Sequence, residues 1–135
     1  MIHEVVLNTD SKPMPLKRHR FTRHGHRMYD PSAKDKKIWL TLIEIPNTLI
    51  EGPMHIDFEF TFQRPKSHYR TGKFSHLIKT SAPSHKISCP DIDNLVKFYL
   101  DAMNKKFFVD DAQVESIGAV KKYGEKDHVK ISIKY

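Results

Sequence analysis

Two short stretches concentrate acid in an otherwise basic chain. PDIDNLVK, residues 90 to 97, carries Asp91 and Asp93, and VDDAQ carries Asp110 and Asp111. In an extended segment Asp91 and Asp93 would point to the same side, because strand side chains repeat every second residue. Carboxylates gathered in one pocket cannot all stay ionised without a cation, since each raises the pKa of the others. Mg²⁺ takes oxygen ligands, keeps several waters and bridges protein carboxylates to phosphate. Such a metal can activate water and stabilise the leaving oxygen of a phosphodiester. Asp91, Asp93, Asp110 and Asp111 are therefore candidate metal ligands. Lys97 stands four residues after Asp93 and four before Asp101, on one helical face. Its ammonium either pairs with Asp101 or sits near the metal and holds the scissile phosphate. Asn94 either orients an aspartate or caps the helix.

Plainer roles exist for the same residues. Asp93 is placed to cap a helix that starts after Pro90, with Asp91 a solvated neighbour. Asp110 and Asp111 suit a turn before the next strand. A calcium loop is excluded. Counted from Asp91, its sixth position is Val96 and its twelfth Ala102, where Gly and Glu are required. No Cys/His grouping has zinc-finger spacing, and the HGH at 24 to 26 belongs to a cationic loop.

The surroundings are basic. The 135 residues include 23 Lys and Arg against 16 Asp and Glu, a formal charge of +7. From Ser11 to Tyr29 there is no carboxylate, but there are Lys12, Lys17, Arg18, Arg20, Arg23 and Arg27. From Phe60 to Pro90 there is again none, and Arg64, Lys66, Arg70, Lys73, Lys79 and Lys86 occur. These segments are either solvated loops or a phosphate-binding surface whose affinity falls with salt. The candidate DNA contacts are Lys17, Arg18, Arg20, Arg23, Arg64, Lys66, Arg70 and Lys73. Phe21, Tyr29 and Tyr69 could stack on exposed bases or simply pack.

The positioning elements follow from periodicity. Residues 3 to 8 read as a strand, followed by a basic, proline-punctuated loop to about Pro31. The pattern predicts a helix over 32 to 45, with Ser32 as cap, Asp35 in a capping box and Ile38, Leu42 and Ile45 at helical spacing. Residues 54 to 62 alternate, with Met54, Ile56, Phe58, Phe60 and Phe62 on one face. A long loop spans 63 to 90. A helix follows from about Asp93 to Lys105, with Leu95, Tyr99, Ala102 and Met103 on one side. QVESIGAVKKY and HVKISIKY read as a strand pair joined by a turn at 124 to 127. The expected fold is α+β (mixed α/β), a small mixed sheet with two or three helices packed on it, in one domain over 1–135. A helix of a dozen residues rises roughly 18 Å. The aspartate pairs therefore meet only if the chain returns along the helix, or if a neighbouring strand carries Asp110 and Asp111 back to its start. The single cysteine, Cys89, fits a reducing compartment. No apolar run is long enough to cross a bilayer, and the start lacks the blocks of a secretion signal. A cytoplasmic protein is expected.

PDIDNLVKFYLDAMN followed by VDDAQV resembles the signature of the RusA family of Holliday-junction endonucleases. The shared pattern is P-D-x-D-N, a Lys four after the second Asp, D-A four further on, then a D-D pair before a strand. PLKRHRFTRHGHRMYDP resembles the family's basic N-terminal loop and RPKSHYRTGK its middle loop, so the resemblance runs from about residue 13 to 123. It implies that Asp91, Asp93 and Asp111 are the essential metal-site carboxylates, Asp110 the accessory one and Lys97 the catalytic-site lysine. The choice of Asp111 over Asp110 depends on the alignment at NKKFF. The implied activity is that of an Mg²⁺-dependent crossover junction endodeoxyribonuclease, with Mn²⁺ as a substitute. A homodimer would resolve four-way DNA junctions by paired symmetric cuts in recombination and repair. Compact proteins of this kind are often encoded by bacteria, phages and prophages. On this reading Asp91, Asp93 and Asp111 converge within metal-bridging reach. The dimer forms through a strand edge or the apolar residues of the 32 to 45 helix. The competing readings are a non-catalytic junction- or DNA-binding protein and a nuclease of the same fold with broader branched-DNA selectivity.

Overall fold

The computed structural model describes residues 3–22, 25 and 27–135. The elements run β1 (Glu4–Thr9), β2 (Arg20–Phe21), β3 (Met28–Tyr29), α1 (Ala33–Leu40), β4 (Met54–Gln63), α2 (Ile92–Met103), β5 (Val114–Gly124) and β6 (His128–Lys134). The main sheet has the order β1-β6-β4-β5, and β2 and β3 form a separate two-stranded ladder inside the first basic loop. This mixed sheet with two α-helices is the expected α+β class.

β4 organises the sheet because its alternation is complete. Met54, Ile56, Phe58, Phe60 and Phe62 are all buried. The opposite face is polar and paired, with Glu59 bonded to Lys122 at 2.7 Å and Asp57 to His55 at 2.9 Å. α2 covers the apolar face with Leu95, Phe98, Tyr99, Ala102 and Met103, the i, i+3, i+4, i+7, i+8 stripe of an amphipathic helix. Val129, Ile131 and Ile133 of β6 complete the same core. Each large side chain buried this way contributes about 1.5–3 kcal/mol.

Three expectations are corrected. First, β5 and β6 are not a hairpin. β4 lies between them, parallel to β5 and antiparallel to β6. Both strands suit β4 as a partner, and a parallel pair needs a long crossover. The loop and α2 between β4 and β5 supply it. The turn at 124 to 127 instead passes over the end of β4, where Asp127 Oδ1 accepts the Gln63 N–H at 2.8 Å.

Second, the helix expected over 32 to 45 stops at Leu40. Thr41 Oγ1 donates to Ile38 O at 2.6 Å, a local bond that competes with helix continuation. Ile38, Leu42 and Ile45 are 51%, 53% and 40% exposed, while Trp39 is buried against Tyr99 with centroids 5.0 Å apart. Ser32 does not cap the helix with its side chain; its Oγ accepts the Lys17 N–H at 2.9 Å.

Third, α2 begins one residue earlier than expected, with Asp91 rather than Asp93 as its N-cap, and Lys105 leaves it at φ 64°. The segment 63 to 90 contains two short 3₁₀ turns, Lys66–His68 and Gly72–Phe74. Its last part lies along β5, where Tyr123 N–H donates to Ser84 O at 3.0 Å and Lys86 N–H to Lys121 O at 3.2 Å. Among the described residues, no helix is long and apolar enough to cross a membrane.

Candidate functional site

Asp91 sits in extended backbone at φ −69°, ψ 140°, where a residue before a helix must leave the strand-like path. Asp93 lies in the first turn, and its Oδ1 accepts the Asn94 N–H at 2.9 Å. Asp91, Asp93 and Lys97 are all exposed. Among the described residues no carboxylate lies within 4.0 Å of Lys97. Asp101 pairs instead with Lys36 of α1 at 3.6 Å, and Lys36 also reaches Asp30 at 2.6 Å. The structural pairing of Lys97 with Asp101 is therefore absent, and the Lys97 ammonium is open to an anion.

Both cationic segments converge on this end of α2. The Leu16 N–H donates to Asn94 O at 2.9 Å, so Lys17 and Arg18 follow directly beside the first turn. The Met14 N–H donates to Tyr99 Oη at 3.0 Å and ties the same loop one turn deeper. The second segment runs into Asp91 itself. Lys121 of β5 fixes that approach by donating to Ser88 O and Pro90 O, both at 2.8 Å.

Asp110 and Asp111 lie at the other end. Asp110 N–H donates to Gln113 Oε1 at 2.9 Å, and Gln113 Nε2 donates to Ile50 O at 3.0 Å and Gly52 O at 2.9 Å. This clasp holds the turn at the start of β4 and β5, where Met54 pairs with Val114. Burial raises the Asp111 pKa, and repulsion from Asp110 and then Asp101 adds to it. Asp101 belongs to the last turn of α2. Lys121, seven residues into β5, touches Pro90 at the first turn. The 12-residue α2, which rises roughly 18 Å, thus runs antiparallel to β5, with Asp91 and Asp93 at its start and Asp111 beside Asp101 near its end.

The expected convergence within one chain does not occur. In a strand–helix–strand crossover the turn leaving the helix lies at the end opposite its start. Among the described residues, no three His, Cys, Asp or Glu side chains stand together as one chain's metal site.

The raised Asp111 pKa has a measurable sign. Stability from a carboxyl that holds its proton more tightly when folded is fully present at low pH and is lost as pH rises through the folded pKa. Asp111→Asn should therefore raise the melting temperature at pH 7 in metal-free buffer by about 1–3 °C, within the range of surface substitutions. The gain should vanish near pH 3. A gain that persisted at pH 3 would count against this origin.

The expected DNA contacts divide by environment. Arg18, Arg20 and Lys66 are exposed, and Lys17 is exposed with Asp35 at 4.0 Å. Arg70 and Lys73 lie over the Phe74 ring at 5.1 and 5.4 Å. Arg64 donates to Pro83 O at 2.8 Å and covers the Tyr123 ring. Arg23 lies outside the described residues. Lys121 and Gln113 were not singled out in the sequence. Their roles depend on strand order, which nothing in their own spacing signals.

A model of the RusA endodeoxyribonuclease family matches residues 10–134. The chain belongs to the RusA family. The RusA match begins just after β1 and runs through both basic segments, α2 and β5 to the end of β6. RusA family membership implies an endonuclease of the Holliday-junction class. A protein of Bacillus subtilis (strain 168), YqaN, itself described as uncharacterized, is 33% identical over 114 residues, covering 79% of this chain and 78% of YqaN.

Proposed function

We propose that this RusA-family protein is a divalent-metal-dependent endonuclease that cuts four-way DNA junctions, and that two copies are needed to build each active site. The observation that carries this reading is the separation of the two aspartate pairs, together with the opposite electrostatic character of their surroundings. Asp91 and Asp93 stand at the end of α2 that both cationic segments reach, whereas Asp111 lies beside Asp110 and Asp101. A two-fold axis across the middle of α2 would bring the cation-rich end of one copy to the acid-rich end of the other. Such isologous pairing is common in dimers. Lys97 stands one turn after Asp93 on α2 and so shares the helix face of that aspartate.

All four aspartates offer hard oxygen donors, which fit Mg²⁺ or Mn²⁺. When bound, the metal supplies a nucleophilic hydroxide at neutral pH and neutralises charge on the phosphate. Asp91 and Asp93 of one copy and Asp110 and Asp111 of the other would hold it. Lys97 is placed to stabilise charge developing on a phosphoryl oxygen. Lys17, Arg18 and Arg20 lead the sugar–phosphate backbone toward Asp93. Two sites related by symmetry match the symmetry of the junction and favour paired cuts. The single apolar core supports one domain, and the same reading puts the work of the protein on DNA in a bacterial cytoplasm.

The direct test offers a synthetic four-way junction, a fork and a linear duplex, each with Mg²⁺ and with EDTA. Symmetric paired cuts in the junction are expected with Mg²⁺ alone, and much slower cutting of the duplex. Tight junction binding with no cleavage in Mg²⁺ or Mn²⁺ would favour a non-catalytic binder. Equal rates on fork and junction would favour the broader branched-DNA nuclease.

A further inference from the structure

A cavity of about 440 Å³ opens beside Pro90, lined by Lys12, Arg64, Lys86, Phe62, Tyr123 and Cys89 among others. Its cations are held in an unusual way. Lys86 Nζ lies 5.1 Å from the Phe62 ring centroid and 5.4 Å from that of Tyr123. The Arg64 guanidinium lies 5.7 Å from the same Tyr123 centroid. Among the described residues, no carboxylate comes within 4.0 Å of the charged groups of Lys12, Arg64 or Lys86. Asp127 also lines the cavity, with one oxygen occupied by the Gln63 N–H. Ring faces fix a cation in place but leave its charge unneutralised. Arg and Lys so arranged suit phosphate oxygens.

The geometry points to a phosphodiester subsite: Lys12, Arg64 and Lys86 bind a backbone phosphate of the strand whose neighbouring bond is presented to Asp91 and Asp93. The assignment rests on the nuclease reading for its position relative to the cut. The ring faces of Phe62 and Tyr123 are covered by cations, so phosphate is favoured over a stacked base. The size suits one sugar–phosphate unit rather than a duplex. Lys121 ties the wall at Ser88 and Pro90, the residue before Asp91, to β5.

The test measures binding in EDTA, so it does not depend on cleavage. Four-way junctions carry a single neutral methylphosphonate, moved position by position along the strands around the branch point. For the wild-type chain one position near the branch should weaken binding about tenfold, which corresponds to about 1.4 kcal/mol. In Lys86→Met that position should have no further effect, while the other sensitive positions keep theirs. Lys86→Arg should restore the sensitivity, and Lys34→Met on α1 should leave the whole profile unchanged. Identical profiles for wild type and Lys86→Met would overturn the proposal.

A second readout needs no substitution. Cys89 is the single cysteine and is exposed. Saturating junction DNA should slow its alkylation by iodoacetamide several-fold, and an unchanged rate would overturn the proposal. Oligonucleotides with 5′-phosphate and 5′-hydroxyl ends should bind alike; tighter binding of the phosphorylated end would assign the cavity to a terminal phosphate instead. Loss of the nuclease reading would appear separately, as intact junction in Mg²⁺.

Discussion

Asp93→Asn and Asp111→Asn should each abolish junction cleavage, and mixing the two variants should bring it back. Losing even a contact that supports a metal ligand costs 10–100-fold, so losing a ligand should cost more than about a hundredfold. Binding should survive in both, because removing a carboxylate also removes repulsion toward phosphate. If each site draws Asp91 and Asp93 from one copy and Asp110 and Asp111 from the other, a mixed dimer holds one doubly damaged site and one intact site. With free exchange half of the dimers are mixed, and the rate should return to roughly a quarter of wild type, as single nicks rather than paired cuts. A site built within one chain predicts no recovery at all. Continued inactivity after demonstrated subunit exchange would therefore sink the shared site while leaving the metal-dependent nuclease untouched.

Tyr99→Ala should be the most damaging change to stability that also reaches the site. The ring is fully buried and packs on Trp39, Phe60 and Phe98, with centroids 5.0, 5.6 and 4.9 Å away. Truncating such a side chain costs about 3–5 kcal/mol. Tyr99→Phe keeps the ring but leaves the Met14 N–H without its acceptor, at a cost of about 1–3 kcal/mol. Burial raises the pKa of this phenol, so it stays protonated throughout the working range. Urea unfolding with an unchanged m-value would measure both costs. Tyr99→Phe should additionally weaken DNA binding, since it frees the loop that carries Lys17 and Arg18. A variant as stable as wild type, with unaltered binding, would show that the Met14 bond does not position that loop.

The sequence made the local chemistry legible and concealed its arrangement. β4 was readable because ten residues alternate without interruption, and α2 because its apolar stripe and its aspartates share one segment. Strand order was not. The apolar patterns of β5 and β6 fit a hairpin as well as they fit β4, and β5, an edge strand with no buried residue, carries no apolar face that would decide. That one ambiguity hid the site geometry. A hairpin leaves the position of Asp111 open, whereas the parallel crossover sends it to the far end of α2. The helix over 32 to 45 misled for a different reason. Ile38, Leu42 and Ile45 have helical spacing, but the core is already filled by Trp39 and α2, so they remain exposed.

The pairing of β1 with β6 has a consequence for how the molecule forms. Glu4 lies opposite Lys134, and His3 N–H reaches Tyr135 O at 2.7 Å. The inner strand β6 thus joins segments separated by nearly the whole chain, and the entropy of closing that loop must be met before its ladder gives anything back. Topologies dominated by such distant pairings fold slowly, on a scale of roughly milliseconds to seconds. The more local unit is β4, its crossover helix and β5, which already carries both aspartate pairs. It would nucleate with β4 bare along one edge, and that edge is exposed to foreign strands until β6 arrives. Expression yield should accordingly respond more to changes in β6 than to equally large changes in the basic loops.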